Sequence, residues 1–79
     1  MKPIIYILNG CPYCEKVEYF VSKNDIDVTY KVTNNPEIKD ELRNRSWKTQ
    51  VPYLVDEANS VEMPESDNII EYLENRYVT

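Results

Sequence analysis

The sequence predicts an α/β fold in which a four-stranded mixed sheet carries three helices, in the chain order βαβαββα. Three observations predict it. A continuous apolar run opens the chain, helical and alternating patterns then follow one another, and a short hairpin precedes the last helix. The chain has 79 residues, which suits one compact domain, 1–79, with no room for two.

Ile4-Ile5-Tyr6-Ile7-Leu8 is apolar at every position, the mark of a strand covered on both faces, and Asn9-Gly10 breaks it. From Pro12 a helical pattern sets Val17, Phe20 and Val21 on one face, with Glu15, Lys16, Glu18 and Lys23 largely on the other. Asn24-Asp25 ends that helix. Ile26, Val28, Tyr30 and Val32 then alternate with Asp27, Thr29, Lys31 and Thr33, which predicts a strand with one polar face. Asn35-Pro36-Glu37 is a helix start: a capping side chain, a proline at the first helical position and an acid in the first turn. Ile38 and Leu42 face inward from this helix, and Arg43 and Arg45 suit its C-terminal end.

Pro52 to Val55 and Val61 to Met63 flank a polar turn, Asp56 to Ser60, and read as a hairpin. Pro64 precedes the last helix, with Ser66 as its N-cap and Ile69, Ile70, Leu73 and Tyr77 as its buried stripe. A β-α-β unit makes its two strands parallel with a right-handed crossover, and the hairpin adds antiparallel pairing. Four such strands with helices on both faces form the thioredoxin-like layout.

Composition narrows the function. Hydrophobic residues make up 42% and charged residues 29%, a globular balance rather than a disordered one. The net charge of −5 leaves no surplus to neutralise phosphates, so nucleic acid is not an expected partner. No apolar run approaches the roughly 20 residues of a membrane span. The opening apolar stretch is too short for a signal peptide, so the start is read as mature and the protein as cytoplasmic.

Both cysteines lie in one C-x-x-C, Cys11 to Cys14. A secreted domain stapled by disulfides carries more cysteines, more widely spaced. A structural zinc site takes four ligands, and the chain has no histidine and no further cysteine. Chemistry therefore fits the pair better than either a staple or two inert buried thiols. Cys11 falls at the start of the first helix, where unsatisfied N–H groups and the helix dipole favour a thiolate. Cys14, three residues on and more buried, is placed to resolve a mixed disulfide formed on Cys11.

Cys11-Pro12-Tyr13-Cys14 after a first strand resembles the signature of the dithiol glutaredoxins. Val51-Pro52 matches that family's Val-Pro, whose proline is cis and faces the dithiol. Met63-Pro64-Glu65-Ser66, followed by Ile69-Ile70-Glu71-Tyr72-Leu73, looks more like the N-terminal domain of glutathione S-transferases. One transferase-like glutaredoxin subgroup combines both features. The resemblance spans Ile5 to Tyr77.

It implies glutathione as co-substrate, no metal, and reduction of protein disulfides or glutathione mixed disulfides. Cys11 and Cys14 are then catalytic. Glu65 and Ser66 hold the γ-glutamyl end, the Val51 backbone beside Pro52 pairs with the cysteinyl part, and Tyr13 lines the groove. Lys39 stands where many glutaredoxins meet the glycyl carboxylate, with Gln50 and Lys48 as alternatives. Trp47 is expected to be partly buried near this loop.

The implied partners are glutathione and disulfide-bearing or glutathionylated proteins, met by a monomer. Two further readings stay open: an electron carrier served by a flavoprotein reductase, and a glutathione-ligated iron–sulfur binding module. Three departures from the family pattern stand out. No lysine occurs in Leu8-Asn9-Gly10, Glu62-Met63-Pro64 replaces the usual Gly-Gly, and no helical second domain is present in the sequence, so conjugation of electrophiles is not expected.

Overall fold

The apolar run forms β1 (Ile4–Ile7), and its side chains divide between two cores. Ile5 and Ile7 join Cys14, Val17, Val21, Leu54, Ile69 and Leu73 on one side, while Tyr6 joins Leu42 and Val55 on the other. This is period-2 alternation with both faces covered. The remaining elements are α1 (Pro12–Lys23), β2 (Thr29–Val32), α2 (Pro36–Ser46), β3 (Tyr53–Asp56), β4 (Val61–Pro64) and α3 (Ser66–Leu73). A 3-10 turn at Glu57–Asn59 links β3 to β4, and a wide π turn at Glu74–Val78 follows α3. The computed structural model describes residues 2–78.

The strand order is β2-β1-β3-β4, with β2 parallel to β1 and the other two pairings antiparallel. The layout is the predicted thioredoxin-like one. Helices α1 and α3 cover one face and α2 the other. The two faces are held differently. The α1/α3 face is an apolar core, whereas Leu42 is the one fully buried residue of α2. Ile38 packs beside it on the Tyr6/Val55 cluster, and polar contacts add to that attachment. Tyr6 and Lys31 both donate to Glu41, the lysine at 2.7 Å, and Arg45 donates to Glu62 of β4 at 3.0 Å, a carboxylate that Tyr53 of β3 also reaches at 3.0 Å. Burial first, then the Glu41 carboxylate, pushes the Tyr6 phenol up to about 12, so it stays a donor at every ordinary pH.

Four local expectations need correction. Strand β2 begins at Thr29 rather than Ile26, because Asp25 turns left-handed (φ 51°) and the Ile26 amide still closes on the Val21 carbonyl (3.1 Å). Ile26 and Val28 nonetheless pack on the core. Trp47 is 89% exposed rather than partly buried, because it ends α2 in the left-handed region (φ 67°). Glu65 caps α3 in place of Ser66: its carbonyl accepts the Ile69 amide at 3.0 Å, which makes Ser66 the first helical residue. Tyr77 is 39% exposed, because the π turn widens the helix and rotates it off the buried stripe.

Candidate functional site

The register gathers the site at one end of the sheet. Tyr6 pairs with Tyr53, and Tyr53 with Pro64, so these residues form one row across three strands. Just beyond that row the chain leaves β1 toward Cys11, enters β3 from Val51-Pro52 and leaves β4 toward Glu65-Ser66. Segments separated by up to about 50 positions in sequence therefore converge without any long-range signal in local composition.

At the dithiol, Gly10 adopts φ 84°, a conformation glycine takes without steric cost. The turn closes when the Cys11 amide donates to the Leu8 carbonyl at 3.2 Å. Cys11 is extended (φ −83°, ψ 120°) and caps α1, with Pro12 as first helical residue. Its own carbonyl accepts the Glu15 amide at 3.0 Å. Cys11 is half-buried and Cys14 fully buried, both as free thiols. The Leu8 amide reaches the Cys14 sulfur at 3.4 Å.

These surroundings split the two thiols. Burial resists ionisation of Cys11, but the Cys14 and Tyr13 amides and the Cys14 thiol outweigh it together with the Glu15 charge, and hold the Cys11 thiol below its ordinary range. For Cys14, burial comes first and the neighbouring Cys11 adds to it, pushing the thiol up to about 11 despite the Leu8 amide. The two sulfurs are pulled in opposite directions, Cys11 toward the thiolate and Cys14 toward the thiol.

The other expected residues are placed as follows. The Val51-Pro52 bond is cis. Val51 is half-buried and packs on the same apolar core as Cys11, and Pro52 is buried. Gln50 donates to the Glu65 carboxylate at 3.2 Å, which ties the segment before β3 to the segment before α3. Ser66 is buried at the start of α3, and Tyr13 is 65% exposed beside the dithiol. Lys39 is exposed on α2, and among the described residues no contact ties its side chain to this group. Lys48 is exposed as well, and its amide and carbonyl both meet the Ser46 hydroxyl.

Like the Gln50–Glu65 contact, the bridge from Lys16 of α1 to Asp67 in the first turn of α3 has no local sequence signal. Among the described residues, no group of three or more His, Cys, Asp or Glu side chains could hold a metal ion. Nor is any described helix long and apolar enough to cross a membrane.

Glu65 has φ 76° and ψ 118°, a strained backbone for a residue with a Cβ. Such strain costs on the order of 1–3 kcal/mol, and glycine would relieve it at an entropic cost of about 0.5–1 kcal/mol. Glu65→Gly is therefore expected to gain about 1 kcal/mol in chemical denaturation. A loss of stability would mean that the Gln50 hydrogen bond outweighs the strain.

The chain matches the family model described as glutathione S-transferase, N-terminal domain, over residues 5–79. Among solved structures it is similar to a glutathione S-transferase from the Antarctic clam Laternula elliptica (32% identity, TM-score 0.80), covering 98% of this chain and 36% of that one. It also superposes on glutathione transferase Omega 3C from Trametes versicolor (21% identity, TM-score 0.83; 98% of this chain, 32% of that one). A third is a glutathione transferase homolog from Drosophila mojavensis, whose structure holds bound glutathione (24% identity, TM-score 0.79; 96% and 35%). The chain spans about a third of the length of these proteins. No curated protein matches it. With a thioredoxin-like sheet, a cis-proline entering β3 and a family match over nearly its whole length, the chain belongs to the glutathione S-transferase N-terminal domain family.

Proposed function

We propose that the protein is a glutaredoxin-type thiol–disulfide oxidoreductase that draws its electrons from glutathione. One observation carries the reading. The half-buried Cys11 is favoured as a thiolate at the start of α1, while the buried Cys14 is held as a thiol three residues away. Two inert structural cysteines have no reason to be split in this way.

In the mechanism, the Cys11 thiolate attacks one sulfur of a disulfide R–S–S–R′. A Cys11–S–S–R bond forms, the original S–S bond breaks, and R′S⁻ leaves and takes a proton from water. Cys14 then loses its proton and attacks the Cys11 sulfur, releasing RS⁻ and leaving the Cys11–Cys14 disulfide. Two molecules of glutathione reduce that disulfide and become glutathione disulfide. Once R is attached, Cys11 carries no charge, which removes one of the influences holding the Cys14 proton.

Glutathione is assigned to the end of the sheet where β1, β3 and β4 open. Glu65 faces its ammonium, the Ser66 end of α3 offers N–H groups to the γ-glutamyl carboxylate, and the Val51 backbone beside Pro52 pairs with the cysteinyl part. Gln50 is preferred to Lys39 as a further contact, because Gln50 already reaches Glu65. Tyr13 lines the rim.

The test is an NADPH-coupled assay with a glutathionylated peptide. Glutathione with glutathione reductase should sustain turnover, and thioredoxin reductase alone should not. Turnover with thioredoxin reductase only would overturn glutathione as the donor, and turnover with neither would overturn the oxidoreductase reading.

A further inference from the structure

Glu15 stands four residues beyond Cys11 in α1, and its amide donates to the Cys11 carbonyl at 3.0 Å. That bond sets Glu15 one turn along from the capping Cys11, and its side chain is exposed. Its charge already acts on Cys11, opposing the thiolate. The neighbouring Lys16 does not cancel it, because Lys16 turns to α3 and pairs with Asp67. No basic residue precedes Cys11 in Leu8-Asn9-Gly10.

The wider distribution has the same sign. Over residues 12–25 and 65–78, which hold α1 and α3, seven acidic side chains face three basic ones; five of the nine basic residues lie between 31 and 48 instead. Tyr19, four residues beyond Glu15 on the same face, is 69% exposed, and an exposed ring beside a carboxylate is a favourable neighbour for a cationic side chain.

We propose that Glu15 is a specificity-determining residue, selecting disulfides flanked by Lys or Arg over those flanked by Asp or Glu. This rests on Cys11 being the nucleophile. Glu15 acts through its field on the docking substrate and on the thiolate, so it is a positioning residue rather than a reacting one. In the step it influences, the Cys11 thiolate forms a bond to one peptide sulfur, and the second peptide leaves as a thiolate that is protonated by water. Basic flanks stabilise the approach to Glu15, and acidic flanks are repelled.

The test uses two symmetric peptide disulfides, identical except for Lys or Glu flanking each cysteine, in single turnover with the reduced protein. At low salt the basic disulfide should react about tenfold faster, and the ratio should fall toward unity near 0.5 M salt. Glu15→Gln should cut the ratio about threefold, Glu15→Lys should cut it further, and Glu15→Asp should restore it. Asp27→Asn, which removes the same charge at the opposite end of the sheet, should leave it unchanged. In Glu15→Gln the alkylation midpoint of Cys11 should also shift to lower pH, a change that a merely structural role would not produce. An equal ratio in the native protein and Glu15→Gln overturns the proposal while the oxidoreductase reading stands. Failure of the reduced native protein to react with either disulfide overturns both.

Discussion

Cys11→Ser should abolish reduction of every disulfide, whereas Cys14→Ser should keep removal of glutathionyl groups and lose reduction of intramolecular protein disulfides. The asymmetry follows from the surroundings of each sulfur. A serine hydroxyl at position 11 gains too little from the Cys14 and Tyr13 amides to ionise near neutrality, so the rate should fall by at least about a thousandfold. Removal of a glutathionyl group needs one protein thiol and a second glutathione, so Cys14 is dispensable there. A protein disulfide is different, because release from Cys11 requires the resolving sulfur.

Alkylation with iodoacetamide over a pH series checks the same assignment. The Cys11 rate should fall as pH drops through a midpoint below the ordinary thiol value, since the thiolate is lost there. Cys14, pushed up to about 11, should react on the order of a thousandfold more slowly at neutral pH. Blocking Cys11 as a neutral adduct should then speed Cys14, because the Cys11 charge no longer opposes its ionisation. Comparable activity in the two serine variants, or coincident alkylation profiles, would sink the division of roles.

The order and type of every main element were legible because their patterns are local. An unbroken apolar run gave β1, a capping Asn35-Pro36 gave the start of α2, and C-x-x-C after a strand located the dithiol. Boundaries failed where hydrogen bonding continues past the pattern. Ile26 looks like a strand residue by alternation, yet its amide is committed to closing α1. Trp47 is expected to be partly buried near its loop, but a left-handed φ at the end of α2 turns it to solvent. Of the candidate site, Cys11 and Cys14 are proposed from the sequence alone, and Val51-Pro52 with Glu65-Ser66 only through resemblance to a family. The Gln50–Glu65 and Lys16–Asp67 contacts could not be read at all. Their partners lie 15 and 51 residues apart, and the register of three strands, not any local pattern, sets those meetings.

Asp56→Ala should cost about 2–4 kcal/mol, a large share of a margin of roughly 4–12 kcal/mol for a chain of this length. The polar stretch Asp56 to Ser60 predicts a turn, yet Asp56 ends β3 fully buried. One carboxylate oxygen accepts from the Tyr72 and Tyr77 hydroxyls at 2.6 Å each and from the Asn59 side chain at 2.9 Å. This carboxylate fastens the π turn after α3 to the turn between β3 and β4, and Arg76 adds a contact to Asn59. Alanine would leave the half-buried Tyr72 hydroxyl without its acceptor, while the more exposed Tyr77 could turn to water, which keeps the loss below the sum of three charged hydrogen bonds. Burial disfavours the Asp56 anion, but its donors outweigh that and set its pKa below the ordinary carboxylate value. A depressed folded pKa stabilises the fold fully above the unfolded value of about 3.9, and that contribution is lost as pH falls through the folded value. The native protein should therefore lose stability on acidification below about pH 4 more steeply than Asp56→Asn, which cannot titrate there. Urea denaturation at pH 7 and at pH 3 separates the outcomes. A variant as stable as the native protein at pH 7, or equal acid sensitivity in both, would mean that packing of Tyr72 against Tyr77 holds the turn without the charge.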